Sequence, residues 1–145
     1  MTQSIQPQTA PYGAFLLRVS LGVMYLTHGL ILKVMTFTLP GTAKFFASLG
    51  FPEFVGYLVP FVEIVGGLAL ILGVQVRLVT IALLPILLGA IWFHAANGWV
   101  FSAKGGGWEY PLFLVAASVI QVLLGRGAFA LTRDWDLPLI PEAAR

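Results

Sequence analysis

Residues 54–74 read FVGYLVPFVEIVGGLALILGV. Among these apolar, aromatic and small residues there is one charged side chain, that of Glu63. A run of about 20 apolar residues is the length that an α-helix needs to cross the hydrocarbon core of a bilayer. A carboxylate is costly in hydrocarbon, so its presence there is a reason to look for a function or a partner. The stretch therefore predicts a membrane-spanning helix that carries a polar site.

The composition of the whole chain also indicates a membrane protein. Of its 145 residues 59% are hydrophobic and 10% are charged, and the mean hydropathy is +0.92. Soluble domains contain about a quarter charged residues, so this chain lacks the polar surface that a soluble fold needs. The absence of cysteine excludes thiolate nucleophiles, disulfide relays and cysteine-ligated iron–sulfur clusters. The net charge of +2 is too small to predict a nucleic-acid partner.

Three further apolar stretches have a similar length, and we predict four transmembrane helices over residues 12–32, 54–74, 78–97 and 110–131. The first stretch has no basic residue before it and no small-residue cleavage site after it, so we expect it to remain as a span rather than a removed signal peptide. The short connection at residues 75–77 makes the second and third helices antiparallel neighbours. The predicted fold is therefore all-α, an antiparallel four-helix membrane bundle that forms a single domain over residues 1–145.

The longer connections carry aromatic residues that suit a membrane interface. Residues 42–50 (TAKFFASLG) predict a short interfacial helix between the first two spans, which ends at Gly50 and Pro52. The connection at residues 98–109 contains Trp99 and Trp108, and tryptophan is enriched at interfaces. We expect residues 135–141 (WDLPLIP) to be interfacial as well.

Positive charges predict the orientation. The side that holds both termini and the 75–77 turn collects five arginines, and the opposite side collects three lysines. The arginines are Arg18, Arg77, Arg126, Arg133 and Arg145, and the lysines are Lys33, Lys44 and Lys104. Because cytoplasmic loops carry the excess of positive charge, we expect both termini in the cytoplasm. Arg18 and Arg77 are interpreted as anchors whose side chains reach the lipid headgroups.

Four polar residues inside the predicted spans are the candidates for function. They are His28, Glu63, His94 and Gln121. In the predicted orientation the first three lie in the outer half of the bilayer, with Glu63 about 14 Å below the outer end of its helix. Gly56, Pro60 and Gly67 share a helical face with Glu63, and small residues mark the face that packs against another helix. We therefore expect Glu63 to point into the bundle.

Several kinds of chemistry fit this set of side chains. We predict Glu63, His28 and His94 as catalytic, with the histidines bonding a quinone headgroup while Glu63 carries its protons. His28, His94 and Gln121 are the predicted cofactor contacts, although packing between helices explains Gln121 better than chemistry does, and no metal site is predicted. Two histidines could ligate a b-type haem, but no local motif favours one. The same residues could instead couple protons to small-molecule transport, or only fasten the helices together.

The chain resembles the DoxX family of small four-helix membrane proteins. The resemblance covers residues 18–127 and rests on an ordered series of short elements. These are Arg18, Gly22, His28-Gly29, Lys33, the segment 44–52, Glu63-Ile-Val-Gly-Gly67, Gly73, Arg77, His94, Gly107-Trp-Glu-Tyr-Pro111 and Gly125-Arg-Gly127. Members often continue with a serine and an aspartate, where this chain reads AFALTRD over residues 128–134.

The resemblance implies a bacterial inner-membrane protein that serves a redox system. The family takes its name from a subunit of an archaeal thiosulfate:quinone oxidoreductase, and some bacterial members resemble membrane partners of soluble redox enzymes. The expected contacts are thus the lipid bilayer, a quinone and soluble redox partners. The fold is shared with membrane chaperones and cargo receptors, so a non-catalytic scaffold is the alternative expectation.

Overall fold

The structure, a computed structural model, describes residues 9–134, and these residues contain five α-helices and no strand. Helix α1 continues without a break into a π-helical segment, and α4 ends in a short 3₁₀ turn. The α-helices are α1 (Ala10–Leu26), α2 (Leu39–Ser48), α3 (Glu53–Leu72), α4 (Val76–His94) and α5 (Glu109–Leu124), the π-helix is Thr27–Thr36 and the 3₁₀ turn is Ala95–Asn97. The all-α prediction is confirmed. The predicted interfacial tail at residues 135–141 lies outside the described residues.

Within the described residues, three helical stretches are long and apolar enough to cross a membrane. They are Ala10–Thr36, Glu53–Leu72 and Val76–Asn97, with 27, 20 and 22 residues. Helix α5 is apolar but has only 16 residues, because it ends at Leu124 and not near residue 131. The sequence prediction was wrong at this end because Gly125 leaves the helix with φ +75°, a conformation that glycine adopts without strain.

Glycines allow α1 and α3 to pack with their backbones almost in contact. A Cβ atom added at Gly67 would lie 2.7 Å from the carbonyl oxygen of Gly22, and one added at Gly22 would lie 2.8 Å from that of Gly67. One added at Gly29 would lie 2.9 Å from the Cβ of Glu63. Small residues allow such close approach between apolar helices. The antiparallel pairing of α1 and α3 therefore sets Glu63 against the C-terminal part of the first span.

The hydrophobic core lies between α1, α3, α4 and α5. Its buried members come from all four helices and include the side chain of Leu83, which packs against Gly66. The buried core residues are Leu21, Tyr25, Leu70, Val76, Leu83, Leu87, Leu114 and Ala117. Large apolar side chains also cover the outside of the helices, as Leu16, Phe61, Leu88 and Phe113 do. An apolar exterior around a packed core suits a protein surrounded by lipid.

The short helix predicted at residues 42–50 is present as α2, slightly earlier in the chain, at Leu39–Ser48. It packs against the start of α3, where the backbone of Ala43 meets Gly56. The ring of Phe45 contacts Phe93 with ring centroids 5.3 Å apart, so α2 also meets the C-terminal end of α4. We call this end of the bundle, with residues 39–52 and 92–108, the aromatic end.

Residues 125–134, here called the strap, run back across the opposite end. The amide of Ala128 donates to the carbonyl of Pro11 at 2.9 Å, and the amide of Leu131 donates to the carbonyl of Leu72 at 3.1 Å. The amide of Gln75 donates to the hydroxyl of Thr132 at 3.0 Å. The strap thereby ties α1, α3 and α4 together at what we call the basic end of the bundle, defined by Arg18, Arg77 and the strap.

Candidate functional site

The carboxylate of Glu63 is paired with the ammonium of Lys33. The Lys33 Nζ atom lies 2.8 Å from both Oε1 and Oε2 of Glu63. The side chain of Glu63 is 3% exposed and that of Lys33 is 18% exposed. The pair joins the π-helix to the middle of α3. Glu63 therefore does point into the bundle, and its charge is balanced by a neighbouring helix.

Lys33 is the residue that sequence reasoning missed, because we placed it in a loop outside the bilayer. A signal was present: Lys33 follows Gly29 by four residues, which puts both on one helical face. Since Gly29 is pressed against Pro60 and Glu63, that face meets α3. Side chains in helices lean toward the N-terminus, so the long Lys33 side chain extends toward the Glu63 level.

The π-helix is an uncommon feature that carries two of the site residues. Its hydrogen bonds skip one residue more than those of an α-helix: the Phe37 amide donates to the Leu32 carbonyl at 2.9 Å. The hydroxyl of Thr36 donates to the Ile31 carbonyl at 2.8 Å. π-helical turns occur frequently at functional sites because they rotate the following side chains relative to an α-helix. Here the turns place His28 and Lys33 beside α3.

His28 lies near the ion pair, and a backbone carbonyl determines which of its ring nitrogens carries the proton. Its Nδ1 atom is 2.9 Å from the carbonyl oxygen of Met24. A carbonyl only accepts, so Nδ1 donates the proton and Nε2 is the acceptor of the neutral ring. The ring is half-buried and within electrostatic range of Glu63. Two of the three predicted catalytic residues are thus brought together, with Lys33 as a third.

Two buried hydroxyls extend this polar region toward α5. Tyr25 and Ser118 are fully buried and their side chains approach each other, and Tyr25 is also within electrostatic range of Glu63. Neither hydroxyl has a partner within hydrogen-bonding geometry among residues 9–134. Gln121 lies one turn beyond Ser118, and its Nε2 donates to the Gly125 carbonyl at 2.7 Å. Gln121 therefore closes the C-terminus of α5 and contacts the strap rather than the Glu63 pair.

His94 is the last residue of α4 and holds the connection that follows. Its Nδ1 lies 3.0 Å from the carbonyl oxygens of both Gly105 and Gly106. The Nδ2 of Asn97 donates to the same two oxygens, at 3.0 and 2.9 Å. Glu63, by contrast, lies midway along α3, and no described contact joins it to His94. The geometry gives His94 a positioning role at the aromatic end.

We expect the double substitution His94→Ala/Asn97→Ala to loosen the connection at residues 98–108 while the helices stay folded. Each side chain shares its donor between the same two oxygens, so we count about 1 kcal/mol for each side chain removed, and amide exchange at Gly106 and Gly107 should become roughly 30-fold faster. Hydrogen exchange followed by mass spectrometry measures this. Ser102→Ala, an exposed position in the same connection, is the control. Equal exchange in the double variant and the control would contradict the positioning role.

The predicted headgroup anchors, Arg18 and Arg77, are instead buried at the basic end. Arg18 is 0% exposed and Arg77 is 4% exposed, so the prediction that they reach the headgroups was wrong. The strap covers Arg18, whose Nη2 donates to the Ala128 carbonyl at 3.1 Å. Arg77 donates from Nε to the Val122 carbonyl at 3.0 Å, and its amide donates to Oδ1 of Asp134 at 3.3 Å. Asp134 thus caps the start of α4 and lies beside two guanidinium groups.

Comparison with known proteins gives one family and one relative. The DoxX family model matches residues 13–96, which hold Lys33, His28, Glu63 and His94. A protein of Bacillus subtilis (strain 168) named "Putative oxidoreductase CatD" is 37% identical over 79 residues, 54% of this chain and 57% of the relative. The alignment thus spans little more than half of that protein. No solved structure matches the chain.

Proposed function

This chain belongs to the DoxX family, and from that premise we propose that it is a membrane component of a redox system whose Lys33–Glu63–His28 cluster binds a quinone headgroup. Its place would be the bacterial inner membrane, crossed four times, with both termini in the cytoplasm and α2 in the interface. The name of the Bacillus subtilis relative supports the redox assignment, since it describes that protein as an oxidoreductase.

The observation that carries the proposal is the buried ion pair beside His28. The Lys33 ammonium is a donor for a quinone carbonyl oxygen, and the Nε2 atom of His28 is an acceptor for a quinol hydroxyl. Glu63 can take up a proton where water has little access. A bound quinone would supply two-electron, two-proton redox chemistry. The three side chains therefore offer a donor, an acceptor and a proton carrier within one polar cluster.

Access to the cluster fits a ligand that arrives from the bilayer. Glu63 is almost closed off, and Lys33 is the more exposed member of the pair. A headgroup that approaches from the Lys33 side meets the ammonium first and the carboxylate behind it. The hydroxyls of Tyr25 and Ser118 lie further inside, where Tyr25 has Glu63 as an electrostatic neighbour. These groups extend the polar region available to a proton toward α5.

A second candidate function is that of a non-catalytic membrane partner, in which the pair only fastens α1 to α3. The observation that favours it is that the ammonium already contacts both carboxylate oxygens at 2.8 Å. A carboxylate whose charge is already balanced by a neighbouring ammonium needs no ligand. The two functions differ in whether the identities of the charged residues matter beyond the stability of the fold.

The charge swap Lys33→Glu/Glu63→Lys separates the two functions. Wild-type protein purified in mild detergent should carry close to one quinone per chain, measured by mass spectrometry of its lipid extract. Glu63→Gln should carry at least about tenfold less quinone per chain than the wild type. This factor corresponds to about 1.4 kcal/mol, the contribution of one hydrogen bond to a charged group. We expect the swap to unfold at the wild-type temperature but to bind no quinone. Glu109→Gln, which changes the carboxylate at the first residue of α5, is the control. Quinone-free wild type from quinone-containing membranes would overturn the proposal, and quinone bound equally by the swap would favour the partner role.

A further inference from the structure

A second candidate site lies at the basic end, and it shares no lining residue with the Lys33–Glu63 pair. A groove of about 540 Å³, which we call the basic groove, opens between the start of α1, the end of α5 and the strap. One part of its wall is apolar and the other part is charged. The lining residues are Ala10, Pro11, Ala14, Arg77, Leu124, Gly125, Arg126, Gly127, Arg133 and Asp134.

Positive charge dominates this groove. Arg77, Arg126 and Arg133 line it, whereas Asp134 is the one acidic residue among those that do. Three other acidic residues lie within 9–134. Glu53 and Glu109 begin α3 and α5, at the ends of these helices that lie away from the groove, and Glu63 is paired with Lys33. Arg126 and Arg133 are exposed and so are free to contact a ligand. An anion is therefore the complementary occupant.

Arg18 adds a buried charge directly behind the groove. It is fully buried, and Asp134 is its electrostatic neighbour. Its Nε and Nη1 atoms have no hydrogen-bond partner among residues 9–134. A buried guanidinium is stable when opposite charge and hydrogen bonds compensate its lost hydration. Since Asp134 also lies 4.0 Å from Nε of Arg77, one carboxylate is shared between two buried arginines. Two buried positive charges thus share one carboxylate of the groove wall.

The backbone leaves room for a ligand beside these charges. Gly125 adopts φ +75°, and a Cβ atom there would lie 3.0 Å from Nη2 of Arg77 and 3.3 Å from Oδ2 of Asp134. A side chain at this position would crowd the Arg77 guanidinium and the Asp134 carboxylate, both of which line the groove. The guanidinium fork matches the geometry of phosphate oxygens and binds them through paired hydrogen bonds.

We propose that the basic groove binds the phosphate of an anionic phospholipid, with the exposed Arg126 and Arg133 on either side of the headgroup and the buried Arg77 adding positive charge behind them. A lipid fits better than free phosphate because Leu124, Pro11 and Ala14 supply an apolar wall next to the charges. Leu124 and the neighbouring Leu123 are exposed on the outside of α5, where an acyl chain would lie. Basic pockets between membrane helices bind anionic headgroups in this way. The site is independent of the quinone proposal.

The test compares two double variants of the full chain that lose the same charge at opposite ends. Arg126→Gln/Arg133→Gln removes two arginines from the basic groove, and Lys44→Gln/Lys104→Gln removes two exposed lysines elsewhere. The affinity of each detergent-purified protein for phosphatidylglycerol and for phosphatidylcholine is measured by native mass spectrometry. We expect wild type and the lysine variant to prefer phosphatidylglycerol, and the arginine variant to bind it about 30-fold more weakly.

Three further outcomes decide the assignment. Equal affinity for both lipids in the wild type would overturn it. Competition by inorganic phosphate without any preference among lipids would assign the groove to a free oxyanion instead. The variant Asp136→Asn/Glu142→Gln removes the acidic residues beyond Asp134, and we expect it to bind phosphatidylglycerol as the wild type does. A large gain in its affinity would show that the chain's own acids fill the groove, which would also overturn the proposal.

Discussion

We expect Gly67→Leu to destabilise the protein by about 3 kcal/mol or more and to leave little folded material. There is no space for a side chain at this position, because even a Cβ atom would lie 2.7 Å from the Gly22 oxygen and 2.8 Å from the Leu26 nitrogen. Both neighbours are backbone atoms of α1, so the helices must separate. Separation would also pull Glu63 away from Lys33. Unfolding in increasing sodium dodecyl sulfate, followed by circular dichroism, measures the loss.

Gly89→Ala and Gly13→Ala are the matched controls for this prediction. Both glycines lie inside helices, and a Cβ atom at either has nothing within 4 Å. Alanine favours the helix over glycine by about 1 kcal/mol, so each control should be as stable as the wild type or slightly more stable. The close packing of α1 against α3 would be disproved if Gly67→Leu behaved like these controls.

Much of the fold follows from apolar length and small-residue spacing. The stretch at residues 54–74 predicts α3 within two residues at its C-terminus, because the apolar run continues through Pro60 until Gly73 turns with φ +73°. Gly56 and Gly67 correctly indicated the face of α3 that packs against α1 and α2. The end of α5 was placed too late because Ala128 to Leu131 are apolar, although their backbone pairs with Pro11 and Leu72 in the strap.

The candidate site was predicted only in part, because its contacts join helices distant in sequence. Glu63 and His28 were identified as polar residues inside spans, but their partner Lys33 was placed just outside the first span. The π-helix keeps Lys33 inside the bundle, and no local pattern in residues 27–36 distinguishes π from α geometry. Arg18 and Arg77 were misplaced for the same reason: what buries them is the strap, more than 40 residues further along the chain.

The second large effect concerns the ion pair itself. We expect Lys33→Met to destabilise the protein by about 3–5 kcal/mol, since it leaves the Glu63 carboxylate buried without a counter-charge. Methionine keeps most of the length and apolar volume of lysine, so the loss reports the missing ammonium rather than a cavity. Denaturation in sodium dodecyl sulfate measures the loss of stability. The control is Lys44→Met, at an exposed lysine of α2, which should change stability by less than about 0.5 kcal/mol.

Combining Lys33→Met with Glu63→Leu should recover most of the lost stability. An apolar pair of similar volume requires no desolvation of charge, so it replaces a buried salt bridge at little net cost. A recovery of more than about 2 kcal/mol relative to Lys33→Met alone would measure the coupling between the two side chains. Single losses that simply add would instead mean that the 2.8 Å contact does not hold α1 to α3. In that case the close glycine packing would stabilise the pair of helices by itself, and the charges would have to be explained by function.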